Sequence, residues 1–183
     1  MKATVYCAQR VLAVMLAAAL LPACNAPKQA GGEDGLTDAE KRAEIDRMCE
    51  EYREAYPDVP ELDVDEFVDL REEKPVVLVD GRSEEERAVS IIPGAIAAPE
   101  FEQNAAEYER RPVVCYCTIG YRSGKYAEKL REDGWDAYNL RGSILAWTHA
   151  GKPLVTPGGE ETKRVHVYGE KWDLAAKGYE SVW

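Results

Sequence analysis

Two apolar runs, Pro75-Val76-Val77-Leu78-Val79-Asp80 and Pro112-Val113-Val114-Cys115-Tyr116-Cys117, limit the folds open to this chain more than any other feature. Neither alternates apolar with polar residues, so each needs cover on both faces, as strands inside a parallel sheet do. Around them stand helical patterns at 64–71, a capped turn at 83–87, and further helices over 102–110, 123–133 and 143–150, with weaker strand candidates at 95–98 and 135–140. Strands therefore alternate with helices from 64 to 150, which predicts an α/β fold with a parallel sheet. Upstream, Thr37-Asp38-Ala39-Glu40 has the spacing of a capping box, and Ile45, Met48, Cys49, Tyr52 and Tyr56 recur at helical intervals. A helix over 38–56 is expected, ended by Pro57 and Pro60.

At 183 residues the chain has room for one domain with modest extensions. Acidic residues outnumber basic ones 34 to 23, giving −11, and that field repels polyphosphate chains; no nucleic-acid partner is expected. Five cysteines are too few for a disulfide scaffold and form no CxxC pair, and His149 and His166 do not complete an ordinary zinc cluster with them. Neither a metal nor an organic cofactor is implied.

The first 23 residues contain no acidic residue; Lys2 and Arg10 precede the apolar run Val11 to Leu21, as in the basic and hydrophobic parts of a secretory signal. The run is shorter than the about 20 residues needed to span a membrane. Leu21-Pro22-Ala23-Cys24 then resembles the lipobox of bacterial lipoproteins, which implies lipidation at Cys24; plain cleavage near Ala23, leaving Cys24 an ordinary thiol, is the alternative. Residues 1–23 are read as the signal, carrying Cys7 away with them, and the Gly/Ala/polar stretch 24–36 as a flexible tether. Asn25, being other than Asp, resembles the sorting pattern for the outer membrane, periplasmic side, in a host with two membranes. The expected location is the bacterial cell envelope, held by a lipid anchor.

Cys117 ends an apolar strand, and Thr118-Ile119-Gly120-Tyr121-Arg122-Ser123 leads into a helix. Open α/β sheets bind ligands at the carboxyl ends of their strands, and a helix N-terminus with its loop amides favours an anion there. Lowering a thiol pKa from about 8.5 to about 6.5 takes roughly 2.7 kcal/mol, of which a helix dipole supplies about 0.3 to 1 kcal/mol. Loop N–H groups must provide most of the rest, so the loop must curl into a cradle. Gly120 permits that curl, and Arg122 can close the ring or hold its shape.

Four ordered segments now resemble the rhodanese family of sulfurtransferases: Val79-Asp80-Gly81-Arg82 with its acidic helix, Ile92-Pro93-Gly94-Ala95, Cys115 through Ser123, and Asn139-Leu140-Arg141-Gly142-Ser143-Ile144-Leu145-Ala146-Trp147. The resemblance covers roughly 62–155, between an N-terminal helical extension (37–61) and a C-terminal one (156–183). It implies a five-stranded parallel sheet with helices on both sides, Cys117 as carrier of a persulfide, and Thr118, Ile119, Gly120, Tyr121 and Arg122 as its cradle, supported by Asp80, Arg82 and Ser123. Four residues separate Cys117 from Arg122, where phosphate-handling relatives use five, so the ring suits a sulfur atom rather than a tetrahedral oxyanion. Thr118 stands where many members carry Arg, and Ile91 where many carry His. The implied partners are a small sulfur donor and acceptor, and the expected state is a monomer.

Other residues carry two readings each. Cys115 suits buried strand filler or a redox partner of Cys117, and Cys49 a core position or a resolving thiol. Asp80 and Arg82 suit a structural ion pair or a substrate contact, and Arg141 a solvated loop or the pocket rim. Trp147 is expected in the core, His149 at an exposed helix end. The aromatic segments 165–172 and 179–183 are expected to wrap the domain, with a partner-docking patch as the alternative. Beside a persulfide-forming sulfurtransferase stand two other classes: a non-catalytic rhodanese-like module that binds or presents sulfur in the envelope, and a thiol oxidoreductase using Cys115 or Cys49.

Overall fold

The computed structural model describes residues 35–183; the expected signal, Cys24 and the expected tether up to residue 34 lie outside the described residues. The chain runs α1 (Asp38–Arg53), β1 (Glu61–Leu62), α2 (Val64–Glu73), β2 (Val77–Asp80), α3 (Glu84–Val89), β3 (Ile96–Ala97), α4 (Ala98–Gln103), β4 (Val113–Tyr116), α5 (Tyr121–Glu132), β5 (Ala137–Leu140) and α6 (Ser143–His149). Short strands β6 (Leu154–Val155), β7 (Glu161–Thr162), β8 (Arg164–His166) and β9 (Glu180–Val182) follow. The first five strands form one sheet in the order β1-β5-β4-β2-β3, every pair parallel. This is the five-stranded α/β sheet expected.

The two apolar runs are the centre of that sheet, and alternation of side chains explains why neither contains a polar residue before its end. Leu78, Val114 and Tyr116 face a core built with Ile45 and Met48 of α1, Phe67 of α2 and Ile144 and Trp147 of α6. Val77, Val79, Val113 and Cys115 face the other core, with Phe101 of α4 and Ala127 and Leu130 of α5. Helices therefore cover both faces. Trp147 and Cys115 are core residues, as the pattern suggested.

Capping boxes set three helix starts, pairing Thr37 with Glu40, Asp63 with Glu66, and Ser83 with Glu86. Several boundaries differ from expectation. The helix expected over 102–110 begins earlier, because Pro99 favours a helix start, and it stops where Asn104 leaves helical geometry; only a 3₁₀ turn, Ala105–Tyr108, follows. The first helix ends at Arg53, ahead of the turn containing Ala55 and Tyr56. His149 is not an exposed helix end: it is half buried, its Nε2 lying 2.8 Å from the Leu174 carbonyl oxygen, and it anchors the C-terminal segment.

That segment wraps the domain. Val165, Val167, Leu174 and Ala175 join the core containing α1 and α6, while β8 pairs with β9 in parallel. Among the described residues no helix is long and apolar enough to cross a membrane.

Gly124 sits in α5 where any Cβ would overlap the ring of fully buried Tyr56. Gly124→Ala should destabilise the protein by about 1–3 kcal/mol through overpacking, despite alanine's better helix propensity. A urea denaturation midpoint equal to or above that of the parent would contradict this packing.

Candidate active site

Strand β4 ends at Tyr116, and the loop 117–120 carries the chain into α5. Gly120 has φ 126°, a conformation L side chains rarely adopt, and this turns its amide back toward the cysteine. Its N–H donates to Cys117 Sγ at 3.2 Å, and Ser123 Oγ lies 3.5 Å from the same sulfur. Meanwhile the loop carbonyls point away and are occupied: Ile144 and Leu145 amides at the start of α6 donate to the Cys117 and Thr118 carbonyls, both at 3.3 Å. The Cys49 thiol donates to the Ile119 carbonyl at 3.5 Å, and the Ser143 hydroxyl accepts from the Cys117 amide at 3.1 Å.

Cys117 is only 2% exposed, and burial by itself pushes a thiol pKa up. The Ser123 hydroxyl and amide, the Arg122 charge and the Gly120 amide act against it and prevail, so the Cys117 thiol sits below the ordinary thiol value. The other thiols go the opposite way: burial pushes Cys49 up to about 12 and raises Cys115 further. Three cysteines with similar burial thus divide by the donors around them, and Cys117 alone among them is shifted toward its anionic form.

Arg122 does not point a free guanidinium at the sulfur. It grips Glu86 with two bonds of 2.7 Å, and its Nη2 lies 3.1 Å from Thr118 Oγ1, which in turn donates to Glu86 at 3.2 Å. Glu86 is buried, and although burial alone would raise its pKa, the Arg122 bonds and the Ser83 amide bring it down to about 2. Arg122 therefore fixes the shape of the loop to α3. Asp80 and Arg82 form the buried structural pair: Arg82 Nη2 is 2.7 Å from Asp80 Oδ2, the Tyr116 hydroxyl donates to that oxygen at 2.5 Å, and Arg82 also donates to the Ser90 carbonyl at 2.7 Å. This cluster ties both ends of α3 to β2 and β4, and so positions Glu86. Arg141 pairs with Asp46 at 2.9 Å and Glu50 at 2.8 Å and lines a separate cavity, not the one at Cys117.

A cavity of about 310 Å³ opens over the sulfur, lined by Cys117, Thr118, Ile119, Tyr121 and Arg122 from the expected loop and by Tyr52, Tyr168 and Trp172 from outside it. The last three, and Glu86, went unrecognised in sequence as site residues. Tyr52 reads as a core position of a helical face, and Glu86 as one of three acidic residues in a helix cap. The aromatic density of 165–172 is the available signal, and it suggests wrapping or a partner-docking patch rather than a wall of the Cys117 cavity.

The rhodanese-like domain family model matches residues 63–150. A sulfurtransferase of Allochromatium vinosum is 37% identical over 94 residues, covering 49% of this chain and 88% of that protein. The chain belongs to the rhodanese-like family. A tRNA uridine(34) hydroxylase of Acinetobacter baylyi is 27% identical over 62% of this chain and 44% of its own length. A solved thiosulfate sulfurtransferase from Pseudomonas aeruginosa superposes with a TM-score of 0.51 at 26% identity, over 68% of this chain and 24% of that one. The last two similarities thus concern a part of longer proteins.

The Glu86–Arg122 pair gives a pH test. A depressed carboxylate contributes stability above its unfolded value, near 4.5, and loses it as pH falls toward about 2. Glu86→Gln should therefore cost about 1–2 kcal/mol at neutral pH, the effect of losing charge-assisted bonds in a part-buried pair, with the difference from the parent shrinking between pH 4.5 and 2. Chemical denaturation across that window measures it; a difference independent of pH would contradict the pairing.

Proposed function

We propose that this protein is a sulfurtransferase that takes a sulfane sulfur onto Cys117 as a persulfide and passes it to a thiophilic acceptor. The observation that carries this reading is the Cys117 thiol, whose pKa the Gly120 and Ser123 donors hold below the ordinary thiol value at the floor of an open cavity. Similarity to sulfurtransferases supports it.

The cycle balances with these groups alone. The Cys117 thiolate attacks the outer sulfur of a sulfane donor, whose sulfur bond breaks and leaves with its electron pair, as sulfite from thiosulfate or as a thiol from a persulfide. The persulfide places its charge on the outer sulfur, one bond farther into the cavity. An acceptor nucleophile then attacks that sulfur, and the departing charge returns to Cys117, where the same amides receive it. No electrons are gained or lost over the cycle. The ring of Thr118 to Arg122, with four residues between Cys117 and Arg122, encloses the sulfur, while Ser123 supports it from below and Asp80 and Arg82 hold α3 in place.

We further propose that the protein is exported and anchored to the cell envelope through a lipid on Cys24.

Incubation with a sulfane donor should add one sulfur atom to Cys117 by intact mass, and cyanide should remove it as thiocyanate. Cys117→Ser should reduce turnover to background. A binding-only module would gain no sulfur, and undiminished turnover in the serine variant overturns the assignment. Since the deprotonated thiol is the nucleophile, the loading rate should rise with pH and level off above an inflection below the ordinary thiol value; an inflection at or above that value overturns the thiolate account.

For the anchor, metabolic labelling with a radioactive fatty acid should mark the parent protein, and Cys24→Ala should remove both the label and the membrane association. Label retained by the alanine variant would exclude this site.

A further inference from the structure

Four of the side chains around the Cys117 cavity are aromatic. Tyr52 and Tyr121 meet edge to face with centroids 5.3 Å apart, and Tyr168 and Trp172 do so at 5.1 Å. Two of these rings keep much of their surface open, Tyr121 at 45% and Tyr168 at 59% exposure. Tyr168 also holds φ 71°, a left-handed conformation unfavourable for a bulky residue, with its amide donating to His166 Nδ1 at 3.1 Å. Strain and exposed aromatic surface are both held at one place, the mouth of the cavity, where a ligand would cover them.

The charge around the cavity points the same way. Among the described residues lining it, Arg122 is the one charged side chain, and its charge is paired: Nη1 and Nη2 each bond Glu86 at 2.7 Å, Nη2 approaches Thr118, and the guanidinium lies over the Tyr168 ring at 5.1 Å. Lys171, on the covering segment, lies over the Trp172 ring at 5.3 Å. A dianion entering here would meet the Cys117 sulfur at the floor, an arginine already paired with Glu86 in the wall, and the field of a chain carrying −11 overall. An uncharged carbon group would instead cover apolar surface on Tyr52, Tyr121, Tyr168 and Trp172 and gain from leaving water.

Resting on the sulfurtransferase reading, we propose that the donor for this site is an organic persulfide whose carbon group is uncharged and apolar, held by the four aromatic side chains, and not an inorganic sulfane dianion. The Cys117 thiolate attacks the terminal sulfur of R–S–SH; the donor's S–S bond breaks as the Cys117 S–S bond forms. R–S⁻ departs with the electron pair and leaves as R–SH after taking a proton from water. Sulfur and electrons balance without an oxidant.

The test measures how fast Cys117 of the full-length protein gains a sulfur atom from benzyl persulfide, glutathione persulfide and thiosulfate, by intact mass. The two persulfides share one chemistry, so each rate is divided by that donor's rate with a free small thiol. Benzyl persulfide should lead glutathione persulfide by about tenfold or more after that correction, and the lead should fall to about threefold or less in Tyr168→Ala. Tyr121→Ala is the second variant, should the first fail to fold, with the same expected fall. Equal corrected rates for the two persulfides, or a lead untouched in the folded variants, overturns the apolar donor and leaves sulfur transfer standing. No sulfur on Cys117 from any of the three donors overturns the sulfurtransferase reading itself.

Discussion

A buried thiol can have a lowered pKa only if the protein supplies donors to its anionic form, and the architecture around Cys117 follows from that need. The donors are backbone and hydroxyl groups of its own loop, which can face inward only if the loop carbonyls face outward. Each outward carbonyl then needs a donor from elsewhere. The start of α6 supplies two amides and α1 supplies the Cys49 thiol, which its raised pKa keeps protonated and therefore able to donate. The cradle is thus a local loop conformation held by two helices distant in sequence, and neither helix touches the sulfur itself.

Glu86 extends this dependence to a third helix. Arg122 could serve a sulfur site as a free cation or as a brace, and its geometry with Glu86 and Thr118 makes it a brace. Its charge still favours the thiolate through space, because the thiolate lies within its field. Once paired, however, it has little to offer a second negative group in the cavity. One arrangement therefore does two things: it fixes the shape of the loop and balances the Arg122 charge with that of Glu86. The Asp80–Arg82–Tyr116 cluster matters to this only at one remove, since it fixes where α3 lies and hence where Glu86 can reach.

Much of the fold was legible because burial on both faces leaves a mark that needs no neighbours to read: β2 and β4 are unbroken apolar runs, and Cys117 stands where one of them turns into a helix. By contrast β1 is the two residues Glu61–Leu62, half buried, with no period to detect. The shift of α4 reflects Pro99, whose fixed geometry starts a helix that the alanines around it would equally allow as a strand. The cradle residues 118–122 were legible as a loop, but what Arg122 does there was not. Its partner Glu86 lies 36 positions away and looks in sequence like an ordinary capping residue. His149 was misjudged for the same reason, since the carbonyl that buries it belongs to Leu174.

The cavity wall shows most plainly what a family pattern leaves out. Of its four aromatic residues only Tyr121 falls within the matched span 63–150; Tyr52 comes from the helix before it, and Tyr168 and Trp172 from the segment after it. The matched span contains the thiol, its Gly120 and Ser123 donors and the Glu86–Arg122 brace, while the Cys49 thiol that donates to the Ile119 carbonyl comes from α1 before it. The flanking segments also add Tyr52, Tyr168 and Trp172 to the wall of the cavity over the sulfur. Both segments are also bound into the core, α1 through Ile45 and Met48 and the C-terminal segment through Val165 and Val167, so the rings are carried on packed structure rather than on loose ends. The thiol and most of the aromatic wall above it therefore come from different stretches of chain, and the wall can change while the thiol and its loop stay fixed.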